Sequence, residues 1–151
     1  MEILEYFSLP APQQEYWTAR MMEGDWRAAP YLANQLRAGT FQDRYGPNGR
    51  VFLLTQADAL VSFCTLVRRD EIPSDTLMPW IGFVYTFPAF RGHPYSETVI
   101  RHACATARNE GHKTLYLSSD EEGLYEKYGF TFCGFMETFE GHRTQVFYRD
   151  L

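Results

Sequence analysis

The sequence predicts a mixed α/β (α+β) domain, and three observations carry that prediction. A β-branched and aromatic run at 80–86 leads through a Gly/Pro loop into an amphipathic helix and then a short apolar run, the order of a βαβ unit. Before it, apolar runs at 51–55 and 59–67 flank a short turn, as in an antiparallel pair. Ahead of both, the first fifty residues carry helical rather than alternating apolar spacing.

Taken in order, Trp17, Met21 and Met22 lie at helical steps, and Ala28–Leu36 presents a second apolar face through Tyr31, Leu32 and Leu36. Gly39 and then Gly46-Pro47-Asn48-Gly49 mark a loop into the strand at Val51–Thr55. Asp58 lies in the turn to its partner, Ala59–Val67, after which 68–75 is a polar loop. Trp80–Thr86 is a buried strand. From Ser96 the chain is helical, with Val99, Ile100, Ala103, Cys104 and Ala107 on one face and Gly111 as its stop. Thr114–Leu117 is a strand, and Ser119 with Glu122 has the form of a capping box opening a short helix that ends near Gly129. Thr131–Glu137 and Thr144–Tyr148 pair around Glu140-Gly141.

Composition limits what such a domain does. With 151 residues, 45% apolar and 17% aromatic, the chain can bury one core without disulfides, and it is read as a single domain over 1–151. A charged fraction of 22% with this many rings excludes a disordered chain. Fourteen basic against 19 acidic residues, a net charge of -5, argue against a nucleic-acid partner. Cys64, Cys104 and Cys133 form neither a disulfide framework nor a Cys-x-x-Cys pair, and the four histidines lack ligand spacing, so no metal is expected. Met1–Leu9 lacks the pattern of a signal peptide, and the best apolar stretch, Ala59–Val67, is too short to span a bilayer. The expected setting is cytoplasmic, without a membrane partner.

Chemistry concentrates in two segments. The first, FPAFRGHPYSETVI (87–100), joins a strand to a helix N-terminus, whose free N–H groups and positive dipole end suit a phosphate. Arg91 adds charge and Gly92 permits close backbone approach. The second, GLYEKYGF (123–130), follows the next strand.

Together these segments resemble the GNAT superfamily of N-acetyltransferases, which use acetyl-CoA. The resemblance covers 80–137 well, the strands at 51–67 less fully, and the first fifty residues only in length and element order. It implies a central mixed sheet of about six to seven strands flanked by helices. It also implies acetyl-CoA as cosubstrate and a small-molecule or peptide amine as acceptor; a polyamine, an aminoglycoside or a lysine side chain would suit the acidic chain. The oligomeric state is left open, a homodimer included.

In that family the loop reads Arg or Gln, two residues, Gly, one residue, then Gly or Ala, and its amides hold the CoA pyrophosphate. Arg91 matches the first position, Pro94 replaces the Gly and removes a donor, and Ser96 stands at the Gly/Ala place. The resemblance thus assigns Arg91, Gly92, His93, Pro94, Tyr95 and Ser96 to cofactor binding. It assigns the strand end Val84, Tyr85 and Thr86 to the pantetheine arm and the thioester carbonyl. Tyr125 corresponds to the general acid that protonates the leaving thiolate, which a phenol of pKa ~10 can do; the plainer alternative is a core tyrosine. Tyr128 is read as packing, and Ser118 and Ser119 as helix caps.

A base should relieve an ammonium of pKa ~10.4 of its proton. Many relatives use an acid on the strand before the loop, yet 80–86 contains none. Asp120, Glu121, Glu122 and His93 are titratable groups near the expected cleft, and nothing in the sequence distinguishes one of them as the base. In relatives the first fifty residues and the loop at 68–78 line the acceptor side, so the resemblance makes Trp17, Trp26, Tyr31, Tyr45 and Trp80 candidates for an aromatic acceptor pocket. The missing acid, Pro94 and Ser96 motivate an alternative: a CoA-binding sensor or interaction module on the same fold with impaired catalysis.

Overall fold

Glu2-Ile3-Leu4-Glu5 sets two apolar residues between two glutamates, with no alternation to mark a strand. In the computed structural model, which describes Met1–Leu151, they form strand β1 (Glu2–Glu5). This corrects the reading of the first fifty residues as helical and irregular. Four residues are too few for a period to stand out, and β1 is held by antiparallel register from Glu2↔Thr55 to Glu5↔Phe52. The helices that follow are α1 (Ala11–Met21), α2 (Ala28–Ala38) and the short α3 (Phe41–Tyr45). Their buried faces are Trp17, Thr18 and Met21, then Ala29, Leu32, Ala33 and Leu36. Met22 and Tyr31, expected on those faces, are exposed.

The remaining elements are β2 (Arg50–Gln56), β3 (Ala59–Val67), β4 (Trp80–Thr86), α4 (Tyr95–Asn109), β5 (Thr114–Ser119), α5 (Leu124–Lys127), β6 (Thr131–Glu137) and β7 (Arg143–Asp150). They build one seven-stranded sheet in the order β1-β2-β3-β4-β5-β7-β6, as expected a mixed sheet. Only β4 and β5 are parallel, and α4 is their crossover. No helix is long and apolar enough to cross a membrane.

Each face of the sheet carries its own core. On one face α1 and α2 bury Met21, Leu32 and Leu36 against Leu53, Phe63 and Trp80. On the other, Val99, Ile100, Ala103, Cys104 and Ala107 of α4 lie on Phe52, Cys64, Ile81, Leu115 and Leu117. Burying one such aliphatic side chain is worth about 1.5–3 kcal/mol, so α4 is held chiefly by its apolar stripe.

The capping box does not form. The Ser119 hydroxyl accepts from the N–H of Glu121 at 3.0 Å, and α5 begins five residues after it, at Leu124. Ser118 donates to the Glu71 carboxylate at 3.0 Å, so neither serine caps α5.

Strand β4 positions the site. Its register against β3 slips where Phe63↔Tyr85 gives way to Thr65↔Gly82, leaving Phe83 and Val84 opposite the single Cys64. Phe83 sits at φ 49, the left-handed region, as a bulge residue can. A bulge sharpens twist, and β4 parts from β5 after only two pairs, Trp80↔Tyr116 and Ile81↔Leu117. From Gly82 to Thr86 the edge of β4 facing β5 therefore has no strand partner.

Candidate active site

The parting of β4 and β5 opens a cleft of about 940 Å³ lined by Ile81–Thr86 on one side and Leu117–Glu121 on the other. Unpaired strand peptides are strong hydrogen-bonding groups, so this edge can take up an extended ligand that offers amides. The cleft continues past Arg91 and Ser96 toward the start of α4.

Gly82 brings an acid to this gap. A Cβ built at Gly82 would lie 2.2 Å from Asp70 Oδ1 and 2.9 Å from Asp70 Cγ, so only glycine lets Asp70 sit against the strand. Asp70 comes from the loop after β3 and is only 7% exposed. Burial is the main reason its carboxyl is pushed up to about 7, assisted by the Glu71 charge and opposed by the Glu71 backbone N–H and the Arg44 charge. Glu71 beside it is an exposed residue overall. Its carboxylate is nonetheless desolvated, which raises its pKa, while the Ser118 hydroxyl acts the other way.

Tyr125, at the second position of α5, lines the same cleft and is 6% exposed. Its ring packs among Phe147, Tyr128 and Phe130 at centroid distances of 5.8, 6.1 and 6.3 Å. Burial pushes its phenol up to about 12, with the Ser119 hydroxyl opposing. The proton is therefore held throughout the neutral range.

Asp120 and Glu121 line the cleft, but Asp120 is already committed. It accepts from the Thr144 hydroxyl at 2.8 Å and lies 2.8 Å from His142 Nε2, and these partners, Thr144 foremost, lower its pKa. Glu122 is not part of the lining.

The loop between α1 and α2 is clamped over the end of β4. Asp25 accepts from Arg91 at 2.8 and 3.2 Å and from the Tyr85 hydroxyl, and its own N–H donates back to Tyr85 Oη at 2.8 Å. Arg91 also donates to the Thr86 carbonyl at 3.0 Å. The Arg91 guanidinium, the largest influence, holds the Asp25 carboxyl below its usual range. Trp26 stacks on Tyr85 at 5.8 Å, with interplanar angle 16°, and roofs the cleft.

Of the residues assigned to cofactor binding, the cleft gathers Val84, Tyr85, Thr86, Arg91 and Ser96, together with Tyr125. Gly92, His93 and Pro94 form an exposed turn beyond its lining, and Tyr95, half-buried, opens α4. Gly92 has open space where a Cβ would stand; its φ of 90 is what requires glycine. Pro94 is the N-cap and contributes no N–H, so the free first-turn donors are those of Tyr95, Ser96 and Glu97. Ser96 shares a 2.9 Å hydrogen bond with Tyr128, which gives Tyr128 a polar role beyond packing.

A second cavity, about 630 Å³, meets the first at Trp26, Asp70, Glu71 and Phe83. Trp26, Tyr31 and Tyr45 of the expected aromatic pocket line it, with Phe83 and Phe139 added. Trp17 and Trp80 do not: both are core residues, because their faces of α1 and β4 point into the packed layer. Sequence reasoning put the loop at 68–78 on the acceptor side but singled out neither Asp70 nor Glu71 within it. The available signal was Gly82, a lone glycine in an otherwise bulky strand, which marks a bulge or a close approach.

The sequence model of the acetyltransferase (GNAT) family matches residues 12–130. The chain belongs to this family. Solved acetyltransferases share the whole fold. An aminoglycoside 6'-acetyltransferase type Ii superposes with TM-score 0.72 at 14% identity, covering 99% of this chain and 97% of that one. An acetyltransferase from Streptococcus agalactiae gives 0.68 at 18%, covering 99% and 98%. A GNAT family acetyltransferase from Elizabethkingia anophelis, solved with acetyl-CoA bound, gives 0.65 at 15%, covering 99% and 97%. At these identities the likeness concerns the fold. No curated protein matches the chain.

Proposed function

We propose that this GNAT protein transfers an acetyl group from acetyl-CoA to a primary amine on a small molecule or peptide. The observation that carries the reading is that a buried carboxyl, Asp70, and a buried phenol, Tyr125, line one gap beside a free strand edge. The family membership and the solved relative holding acetyl-CoA support the choice of donor. The residues fit that donor. The unpaired peptides of Gly82–Thr86 hold the pantetheine arm, and the first-turn amides of Tyr95 and Ser96, with the turn Gly92-His93-Pro94, hold the phosphates. Bound there, acetyl-CoA supplies an activated acyl carbonyl and a thiolate leaving group.

Asp70 takes the proton of the acceptor ammonium, directly or through a water. With its carboxyl at about 7, a large share is ionised near neutrality while it remains basic enough to accept. A backbone N–H within Val84–Thr86 stabilises the charge developing on the acyl oxygen. Tyr125 keeps its proton until the sulfur departs and then donates it. The non-catalytic module rested partly on the absence of an acid in β4; in this reading Asp70 fills that role from outside the strand.

The test is thiol release from acetyl-CoA over a panel of primary amines, with acetyl-CoA binding measured in parallel. Tyr125→Phe is expected to lower kcat by about 10²–10⁴ while leaving acetyl-CoA bound. If turnover survives the change at every pH, Tyr125 is not the acid. Binding of acetyl-CoA with no transfer to any amine would favour the non-catalytic module.

A further inference from the structure

The second cavity has two chemically different parts. Asp70 and Glu71 belong to both cavities, so they mark the end where an amine meets the acyl group. Arg27 and Arg44 line only the second cavity, and Arg44 is near enough to Asp70 for its charge to act on that carboxyl. Neither arginine forms an ion pair, a state shared with Arg68, Arg69, Arg108, Arg143 and Arg149; what sets Arg27 and Arg44 apart is that they line this cavity. Arg44 is not idle in position: its guanidinium lies over the rings of Tyr45 at 5.5 Å and Phe139 at 5.4 Å. Ring contacts hold this cation at the cavity wall and leave its donor fork without an anion. Glu140, in the same lining, pairs with neither arginine.

Between the two ends the walls are flat and apolar. Phe83, turned into this layer by the bulge, stacks on Tyr31 at 6.5 Å and meets Tyr45 edge-on at 5.7 Å. Such walls accept a ring or an extended apolar body. A planar guanidinium matches a carboxylate through two parallel hydrogen bonds and is the usual partner where that group must be recognised.

We propose that this cavity selects an acceptor amine that carries a carboxylate at the far end of an apolar body, with Arg44, aided by Arg27, as the carboxylate subsite. The proposal rests on the acetyl-transfer reading for which end receives the amine.

The test compares phenylalanyl-alanine with its C-terminal amide at saturating acetyl-CoA, for wild type, Arg44→Gln and Arg44→Lys. Calorimetric binding of both peptides is followed alongside turnover. The expected result is a KM and a Kd about tenfold or more lower for the free acid. That ratio should fall toward one in Arg44→Gln and be partly retained in Arg44→Lys, which keeps the charge but loses the fork. Equal affinity for acid and amide in wild type overturns the proposal. So does an acid preference that survives Arg44→Gln combined with Arg27→Gln, or failure of both peptides to bind. Acid-selective binding without acetylation of either peptide supports the subsite and overturns the transfer reading. Acetylation of both peptides with equal efficiency supports transfer and overturns the subsite.

Discussion

Asp70 and Tyr125 reach one gap from opposite faces of the sheet. Asp70 lies against Gly82 beside Thr65, on the face covered by α1 and α2, and Tyr125 belongs to the core beneath α4. The opening between β4 and β5 is the passage between those faces. A proton acceptor on one side and a donor on the other suit a displacement in which the nucleophile arrives from one face and the leaving group departs toward the other. Desolvation keeps both groups protonated to higher pH than usual, and this has different consequences for an acid and a base.

For Asp70 the consequence is a pH profile. A base works when deprotonated, so kcat/KM should fall as pH drops through about 7. Asp70→Asn should lower kcat by about 10²-fold or more and remove that limb, leaving the rise due to deprotonation of the acceptor amine. The sign for stability is opposite. A carboxyl whose folded pKa is raised favours the fold below its unfolded pKa, and that advantage is lost as pH rises through about 7. Asp70→Asn should therefore raise Tm at pH 8 and change it little at pH 4, as thermal melts at the two pH values would show.

Gly82 can be tested as the residue that admits Asp70. Gly82→Ala places a methyl 2.2 Å from Asp70 Oδ1 and expels the carboxylate from its seat. Overpacking of this kind costs about 1–3 kcal/mol, and activity should fall with the loss of Asp70 geometry. Adding Asp70→Gly to Gly82→Ala should restore Tm but not turnover. Additive losses of stability in the double variant would show that the two residues are independent.

Asp25 joins Tyr85 and Arg91 at the mouth of the cleft but is half-exposed, so its ion pair does little for global stability. Its effect should be local. Asp25→Ala frees the segment bearing Trp26, and the acceptor KM should rise several-fold while Tm stays nearly constant. Steady-state kinetics and a melting curve on the same preparation check both halves.

The cysteines give a simple map of the cores. Cys64 on β3 lies beneath α4 and Cys104 is on the buried face of α4, whereas Cys133 on β6 is exposed; desolvation raises all three thiols. In the native protein an alkylating reagent at mildly alkaline pH should label Cys133 alone, and unfolding should expose the other two. Mass spectrometry of peptides resolves the sites; fast native labelling of Cys64 would contradict the packing of α4 on the sheet.

What was legible along the chain followed local periodicity. The α4 stripe from Val99 to Ala107 is one face of a helix wherever it docks, and the runs of β2, β3 and β4 are β-branched and aromatic. The short β1 escaped notice because its partner is some fifty residues away in sequence, as the register Glu2↔Thr55 makes plain. Ser119 and Glu122 had the spacing of a capping box, yet α5 starts at Leu124. Spacing alone does not say where the backbone first turns helical.

By itself the sequence determined the alternation of elements, the strand–loop–helix passage at 80–100 and the tyrosine at 125, because each is written in neighbouring residues. Tertiary structure decided the rest. The bulge at Phe83 exists only against Cys64, the gap only where β4 leaves β5, and the seat of Asp70 only because Gly82 has no side chain. The same holds for Arg44, an ordinary arginine at the end of α3 until the rings of Tyr45 and Phe139 set it on a cavity wall. A raised carboxyl pKa is likewise a property of burial, and burial is created by packing between segments that local sequence does not relate.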